Sequence, residues 1–300
     1  VTPLRLSPLD PGYPVRLRGL VRPPAELSVR GGSLDADRVV AVVGSREAHP
    51  DAREFAGILS AALVGAGVVV VSGGALGIDA AAHVGALDAG GRTWVVAGTG
   101  CEHCFPPEHA ALFARVAEGP GAMIWPFAPS SNAHAGSFRA RNRVLVALSD
   151  AVVVVQAGLM SGALNAASSA RKLERPLWVV PASTWLGAEF DGSRQLLDEG
   201  ARPLQSVDAL LRSLSPSRTA PSAAAASNPS WPLPRPPSRP LSEAEQTVLA
   251  ATSSTPVHLD EIASRTPLPT AAVTAALLTL ALEDVVVEGP QGCFRRKNPP

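Results

Sequence analysis

The sequence predicts an α/β protein built on a doubly wound parallel sheet, followed by a small C-terminal winged-helix domain. Three observations carry this. Between Val39 and Val180, short apolar runs alternate with segments of helical pattern. The runs show no polar alternation, as expected of strands buried on both faces. Composition then breaks at 214–240, a Pro/Ala/Ser-rich linker too poor in aliphatic residues to hold a core, and periodic sequence resumes after it. Strand–helix alternation implies right-handed crossovers, with helices on both faces of the sheet.

The elements follow in order. Val39–Val43 is a β-branched strand ending at Gly44-Ser45-Arg46, and Asp51–Gly65 carries helical spacing. Val68–Val71 is the next strand, Ser72-Gly73-Gly74-Ala75-Leu76-Gly77 a glycine turn, and Ile78–Ala89 an alanine-rich helix. The strands Thr93–Ala97, Ala122–Trp125, Ala151–Val155 and Leu177–Val180 continue the alternation with the helices Glu108–Ala117, Phe138–Leu148 and Ser161–Glu174. Loops at 44–50, 72–78, 98–107, 126–137 and 156–161 then converge at the carboxyl ends of the strands, where such sheets bind ligands. Beyond the linker, a helix opened by Ser242-Glu243-Ala244-Glu245, a short helix at His258–Arg265, a third at Thr270–Leu282 and a hairpin at 285–296 make a winged-helix pattern. The third helix carries no Arg or Lys, so interaction or dimerisation stands beside groove reading for this module.

Composition narrows the function classes. The chain has 300 residues, 46% hydrophobic and 17% charged, with a formal net charge of zero, so any basic surface is local. No apolar run is long enough to span a membrane and no signal-peptide pattern opens the chain, so a cytoplasmic location is expected. Cys101, Cys104 and Cys293 make no disulfide framework. Cys101-Glu102-His103-Cys104 has C-x-x-C spacing near His109, which suits zinc or redox chemistry. It lacks the second ligand pair usual in structural zinc sites, and two small loop residues are the plainer reading.

The glycine turn is the most informative stretch. Glycines let backbone N–H groups approach a ligand, and the helix that follows presents its positive end, which makes an anion site. Neither the Lys-Ser/Thr ending of a triphosphatase loop nor G-x-G-x-x-G is present. Arg46 ends the first strand beside this loop, as a phosphate fork or a surface charge. Phe138-Arg139-Ala140-Arg141-Asn142-Arg143 opens a helix at the same crevice; Arg139 and Arg143 share one face and Arg141 projects elsewhere. Asp79 reads as a helix cap, with a catalytic pairing to His83 as the alternative. Trp125, Phe127 and Phe138 are the nearest aromatics for base stacking, or else core.

Taken together, Gly44-Ser45-Arg46, the loop Ser72–His83, Phe105-Pro106, Phe138-x-x-Arg141-Asn142-Arg143, Ser161-Gly162-Ala163-Leu164 and Gly200-Ala201 resemble the successive motifs of the DprA/Smf DNA-processing family. Tyr13-Pro14 and Pro23–Leu27 are similar to that family's lead-in to the sheet. The resemblance implies four segments: a lead-in at 1–37 packing on the sheet, an extended Rossmann-like DNA-binding domain at 38–213, the linker at 214–240 and the winged helix at 241–298. It implies a non-enzymatic homodimer without cofactor or metal that binds single-stranded DNA and loads a RecA-type recombinase in natural transformation. By position, Arg46 and Arg143 contact backbone phosphates, with Arg139 beside them. Gly44, Ser45, Ser72, Gly73, Gly74 and Gly77 admit the phosphate, and Arg141 and Asn142 hold or assist that edge. Differences at Pro107, His109, Ile124-Trp125, Gln156 and Asn165-Ala166 mark a divergent member. The alternatives are a nucleoside-monophosphate hydrolase of the lonely-guy type, whose acid is missing near Ser161, and a scaffold that has lost DNA binding.

Overall fold

The computed structural model describes residues 2–181, 187–214, 241–253, 257–282, 285–288 and 292–296. The linker read at 214–240 therefore lies, apart from Leu214, outside the described residues.

The large sheet has nine strands: β1 (Leu4–Leu6), β2 (Leu27–Gly31), β3 (Val39–Val43), β4 (Val69–Ser72), β5 (Thr93–Val96), β6 (Ala122–Trp125), β7 (Ala151–Val154), β8 (Leu177–Val179) and β9 (Arg202–Pro203). Their order is β1-β2-β6-β5-β4-β3-β7-β8-β9. From β6 to β9 every pair is parallel. The connections run outward in one direction from β3 to β6 and in the other from β7 to β9. The sheet thus reverses between β3 and β7, and a crevice opens at their carboxyl ends.

Period-two packing explains the uniformly apolar strands. Val39, Ala41, Val43, Val69, Val71, Trp94, Val152 and Val154 face one layer, which holds α1 (Val15–Arg18), α5 (Ala135–Leu148), α6 (Gly162–Lys172) and α7 (Asp191–Asp198). Val40, Val42, Val70, Ala151 and Val153 face the other, which holds α2 (Pro50–Gly65), α3 (Ile78–Asp88) and α8 (Val207–Ser213). A short turn at Pro107–His109 leads into α4 (Ala110–Glu118), which covers β5 and β6.

The lead-in does more than pack on the sheet. β2 pairs antiparallel with β6, and β1 with β2, so the parallel sheet gains an antiparallel edge. Arg16 of α1 pins this segment by its 2.9 Å ion pair with Asp150, whose Oδ2 also accepts the Val39 N–H at 2.8 Å. Helix α5 begins three residues earlier than its apolar pattern, because His134 and Ser137 form a reciprocal cap. The helices α7 and α8 and the short β9 carry too few residues to show in the sequence pattern.

The C-terminal module has α9 (Glu243–Ala251), β10 (Val257–His258), α10 (Leu259–Ser264), α11 (Thr270–Leu282), β11 (Val286–Glu288) and β12 (Cys293–Arg296), with strand order β10-β12-β11. Val273, Ala276, Leu277 and Leu280 of α11 close its core with Val248, Ile262 and Phe294. Leu278, elsewhere on α11, is buried in the layer around α2. The helix that a groove reader would insert into DNA is therefore covered by protein on two sides.

Candidate nucleic-acid interface

The loops after β3, β4 and β7 meet at the reversal point. Ser45 N–H donates to the Gln156 carbonyl at 2.8 Å, and Ile78 N–H to the Ser45 carbonyl at 3.1 Å, joining all three. Gly77 must be glycine here. Its φ is +77°, and a Cβ would stand 2.3 Å from the Ser45 carbonyl oxygen.

Beneath the glycine loop lies a layer of polar groups, each already engaged. The Asp79 carboxylate accepts the N–H groups of Gly73 at 3.1 Å and Ala75 at 3.3 Å. The anion held by these two amides is thus the protein's own. Burial raises the Asp79 pKa, and the Arg141 guanidinium and the Ala75 N–H oppose that rise. Arg141 Nη1 donates to the Val96 carbonyl at 2.8 Å. Burial lowers its pKa, against the attraction of Asp79. Its guanidinium fills the space where a Gly73 side chain would be, 1.7 Å from the position of a Cβ. His109 Nδ1 donates to the Gly74 carbonyl at 2.9 Å, which gives this position a structural task.

His83 is fully buried, with Nδ1 2.7 Å from the Thr93 hydroxyl, which itself donates to the Val70 carbonyl. Burial, helped by the charges of His109 and Arg141, lowers its pKa to about 3. Between pH 6.5 and about 3 the unfolded chain binds this proton and the folded one does not, so stability falls as pH falls through that window. One proton contributes about 1.4 kcal/mol per pH unit, hence about 2–3 kcal/mol by pH 4.5. Melting curves at pH 7 and 4.5 should show a smaller pH effect in His83→Gln than in the parent.

Depth separates the residues expected at the phosphate site. Ser72 is buried, its hydroxyl donating to the Val42 carbonyl at 2.6 Å, and Arg141 is only 4% exposed. Both lie below the loop and cannot meet a ligand at its surface. Gly73 is buried too, with its amide taken by Asp79. The N–H groups of Gly74, Leu76 and Gly77 meet no acceptor among the described residues.

Charge is available on Arg46, beside the loop, and on the face of α5 turned away from Arg141. Arg46 is exposed, its guanidinium 5.0 Å from the centre of the Phe138 ring. Arg139 is exposed and Arg143 half-buried on one face of α5, and neither makes an ion pair or hydrogen bond among the described residues. Asn142, on that face, donates from Nδ2 to the Gly162 carbonyl at 3.2 Å and ties α5 to the start of α6. Gly44 and Ser45 form the floor beside Arg46.

The aromatics divide. Trp125 is buried among Val95, Phe113 and Met123. Phe138 is half-buried under Arg46, and the exposed Phe105 ring lies 5.6 Å from it. Phe105 was legible in the sequence only as part of a motif. Burial raises the Cys104 pKa, away from a reactive thiolate. Among the described residues no three His, Cys, Asp or Glu side chains converge as metal ligands. Ser161 caps α6, its hydroxyl accepting the Ala163 N–H at 3.2 Å.

The family model described as DNA recombination-mediator protein A matches residues 5–215, and one described as the DprA winged helix domain matches 232–292. Protein Smf of Synechocystis sp. is 31% identical over 326 aligned positions, covering 98% of this chain and 80% of that protein. Among solved structures, DNA processing protein A of Streptococcus pneumoniae superposes with a TM-score of 0.66 at 30% identity, over 71% of this chain and 75% of that one. The Helicobacter pylori protein of the same name, solved to describe its single-stranded DNA binding mode, gives 0.62 at 30% identity, over 70% and 95%.

Proposed function

The chain belongs to the DNA recombination-mediator protein A family, and from that premise we propose that it binds single-stranded DNA without sequence preference and processes DNA during natural transformation. In this reading the strand lies across the crevice at the β3/β7 reversal, with phosphates against Arg46, Arg139 and Arg143 and over the amides of Leu76 and Gly77. The bound strand is then handed to a RecA-type recombinase by a cytoplasmic homodimer. The carrying observation is that Arg46, beside the glycine loop with its acceptor-less amides, and the Arg139/Arg143 face of α5 make no ion pair among the described residues. The Helicobacter pylori relative's single-stranded DNA binding supports it.

The family is one of DNA-binding proteins rather than enzymes. Asp79 holds two loop amides and His83 is sealed beneath them, so neither faces the crevice. Among the described residues no helix is long and apolar enough to cross a membrane.

Titration of fluorescent oligo-dT and of a duplex of equal length, each at two salt concentrations, tests the proposal. Tighter binding of the single strand, weakening steeply with salt, is expected. Equal affinity for both, or no binding to either, would overturn it. So would release of free base from nucleoside monophosphates.

A further inference from the structure

We propose that the turn Gly158–Ser161 is a rest for nucleobases, with Leu159 and Met160 lying against the bases of the strand whose phosphates Arg46, Arg139 and Arg143 hold. This rests on the crevice reading above and adds the surface that meets the other half of each nucleotide.

The first argument is position. The turn leaves β7 at the reversal point, directly across from the loop that leaves β3 with Arg46. The Ser45–Gln156 hydrogen bond joins the two loops. On the other side, Asn142 reaches Gly162, one residue past the turn. On a helix Arg139, Asn142 and Arg143 share a face, so the turn borders the side of α5 that carries both arginines.

The second is rigidity. The Ser161 N–H closes the turn on the Gly158 carbonyl at 3.0 Å. Gly158 is packed so closely on the first turn of α7 that a Cβ on Gly192 would be 2.5 Å from its oxygen. The Ser161 cap fixes the other end. The backbone is thus already ordered, and covering its side chains costs little further conformational entropy.

The third is exposure. Leu159 is 56% and Met160 98% exposed. Scattered exposed apolar residues need no explanation. Here, however, Leu76, Phe105, Leu159 and Met160 all stand on loops that follow strand carboxyl ends, while Leu4, Leu9, Val15 and Val21 lie on the N-terminal segment and Val84 on α3. A fixed turn presenting two adjacent aliphatic side chains, beside arginines that make no ion pair among the described residues, matches a nucleotide, which joins an anion to the flat face of an aromatic base. Leu and Met offer no hydrogen-bond donor to a base edge, and the thioether adapts to different ring shapes. Contact would therefore be indifferent to sequence.

The test is Leu159→Ala with Met160→Ala in the full chain, titrated against oligo-dT and against an abasic strand of equal length. The double variant should lose about five- to tenfold in affinity for oligo-dT, the order expected for two partly covered aliphatic side chains. Its affinity for the abasic strand and its melting temperature should not change, and Met160→Leu should bind like the parent. Parental affinity for oligo-dT in the double variant, or an equal loss on both strands, would overturn the base rest and leave the phosphate wall standing. A parent that binds neither strand would instead sink the crevice reading, and the base rest with it.

Discussion

Replacing Arg46 and Arg143 together by alanine is expected to weaken binding of oligo-dT about 100-fold or more, since each charge-assisted contact is worth about 1.5–3 kcal/mol. The salt dependence should change as well. A single strand gives a slope of about −0.7 in log affinity against log salt per neutralised phosphate, so losing two contacts flattens it by about 1.4. Folding should be nearly unaffected. Arg143 makes no ion pair or hydrogen bond among the described residues, and the contact of Arg46 over Phe138 is of the size of about 1 kcal/mol or less. Cys101→Ser, on a neighbouring loop, serves as the control and should bind like the parent. Fluorescence anisotropy at two salt concentrations measures both quantities, and a double variant equal to the parent would refute the site. Truncation before Leu241 is a poorer control, because Leu278 of α11 is buried against the layer around α2.

The sheet was legible because its strands are Val-rich runs buried on both faces, a pattern that only helices on either side can satisfy. Its antiparallel edge was not. Leu4-Arg5-Leu6 is too short to stand out, and what makes it a strand is pairing to Leu27–Gly31, a contact no local pattern announces. Within the site, helical spacing separates Arg141 from Arg139 and Arg143, but it does not say which side faces water. The arginine pointing inward became the structural one. The glycine loop was legible as an anion site, yet the first anion it holds is Asp79, four to six residues along the same chain. His109 looked like a departure from a basic contact; in the fold it supports the Gly74 carbonyl from below. In each case the residue type was right for polar work and the depth was missing. Depth depends on how closely α4 and α5 approach the strand ends, which is a tertiary property.

That depth sets the second large effect. Arg141→Met keeps much of the side-chain volume but removes the charge opposite Asp79 and the donor to the Val96 carbonyl. No ion pair or hydrogen bond joins Arg141 to Asp79, so the loss is that of a buried donor to the Val96 carbonyl and of a longer-range attraction, about 1–3 kcal/mol. For a chain of this size that lowers the melting temperature by roughly 5 °C. Asp79→Asn combined with Arg141→Met should lose less than the sum of the single changes, since the second substitution removes a charge that the first left stranded. Binding separates this role from a phosphate contact. At a temperature where the variant is folded, the slope of oligo-dT affinity against salt should match the parent's, because no phosphate has lost its arginine. A slope flatter by about 0.7 would place Arg141 on the strand and overturn the assignment. Arg141 offsets the charge of Asp79, and Asp79 holds the amides of Gly73 and Ala75. The acceptor-less amides nearer the surface are then those of Leu76 and Gly77. Loss of the buried arginine should loosen the loop without discharging the surface, and loss of Arg46 and Arg143 should do the reverse.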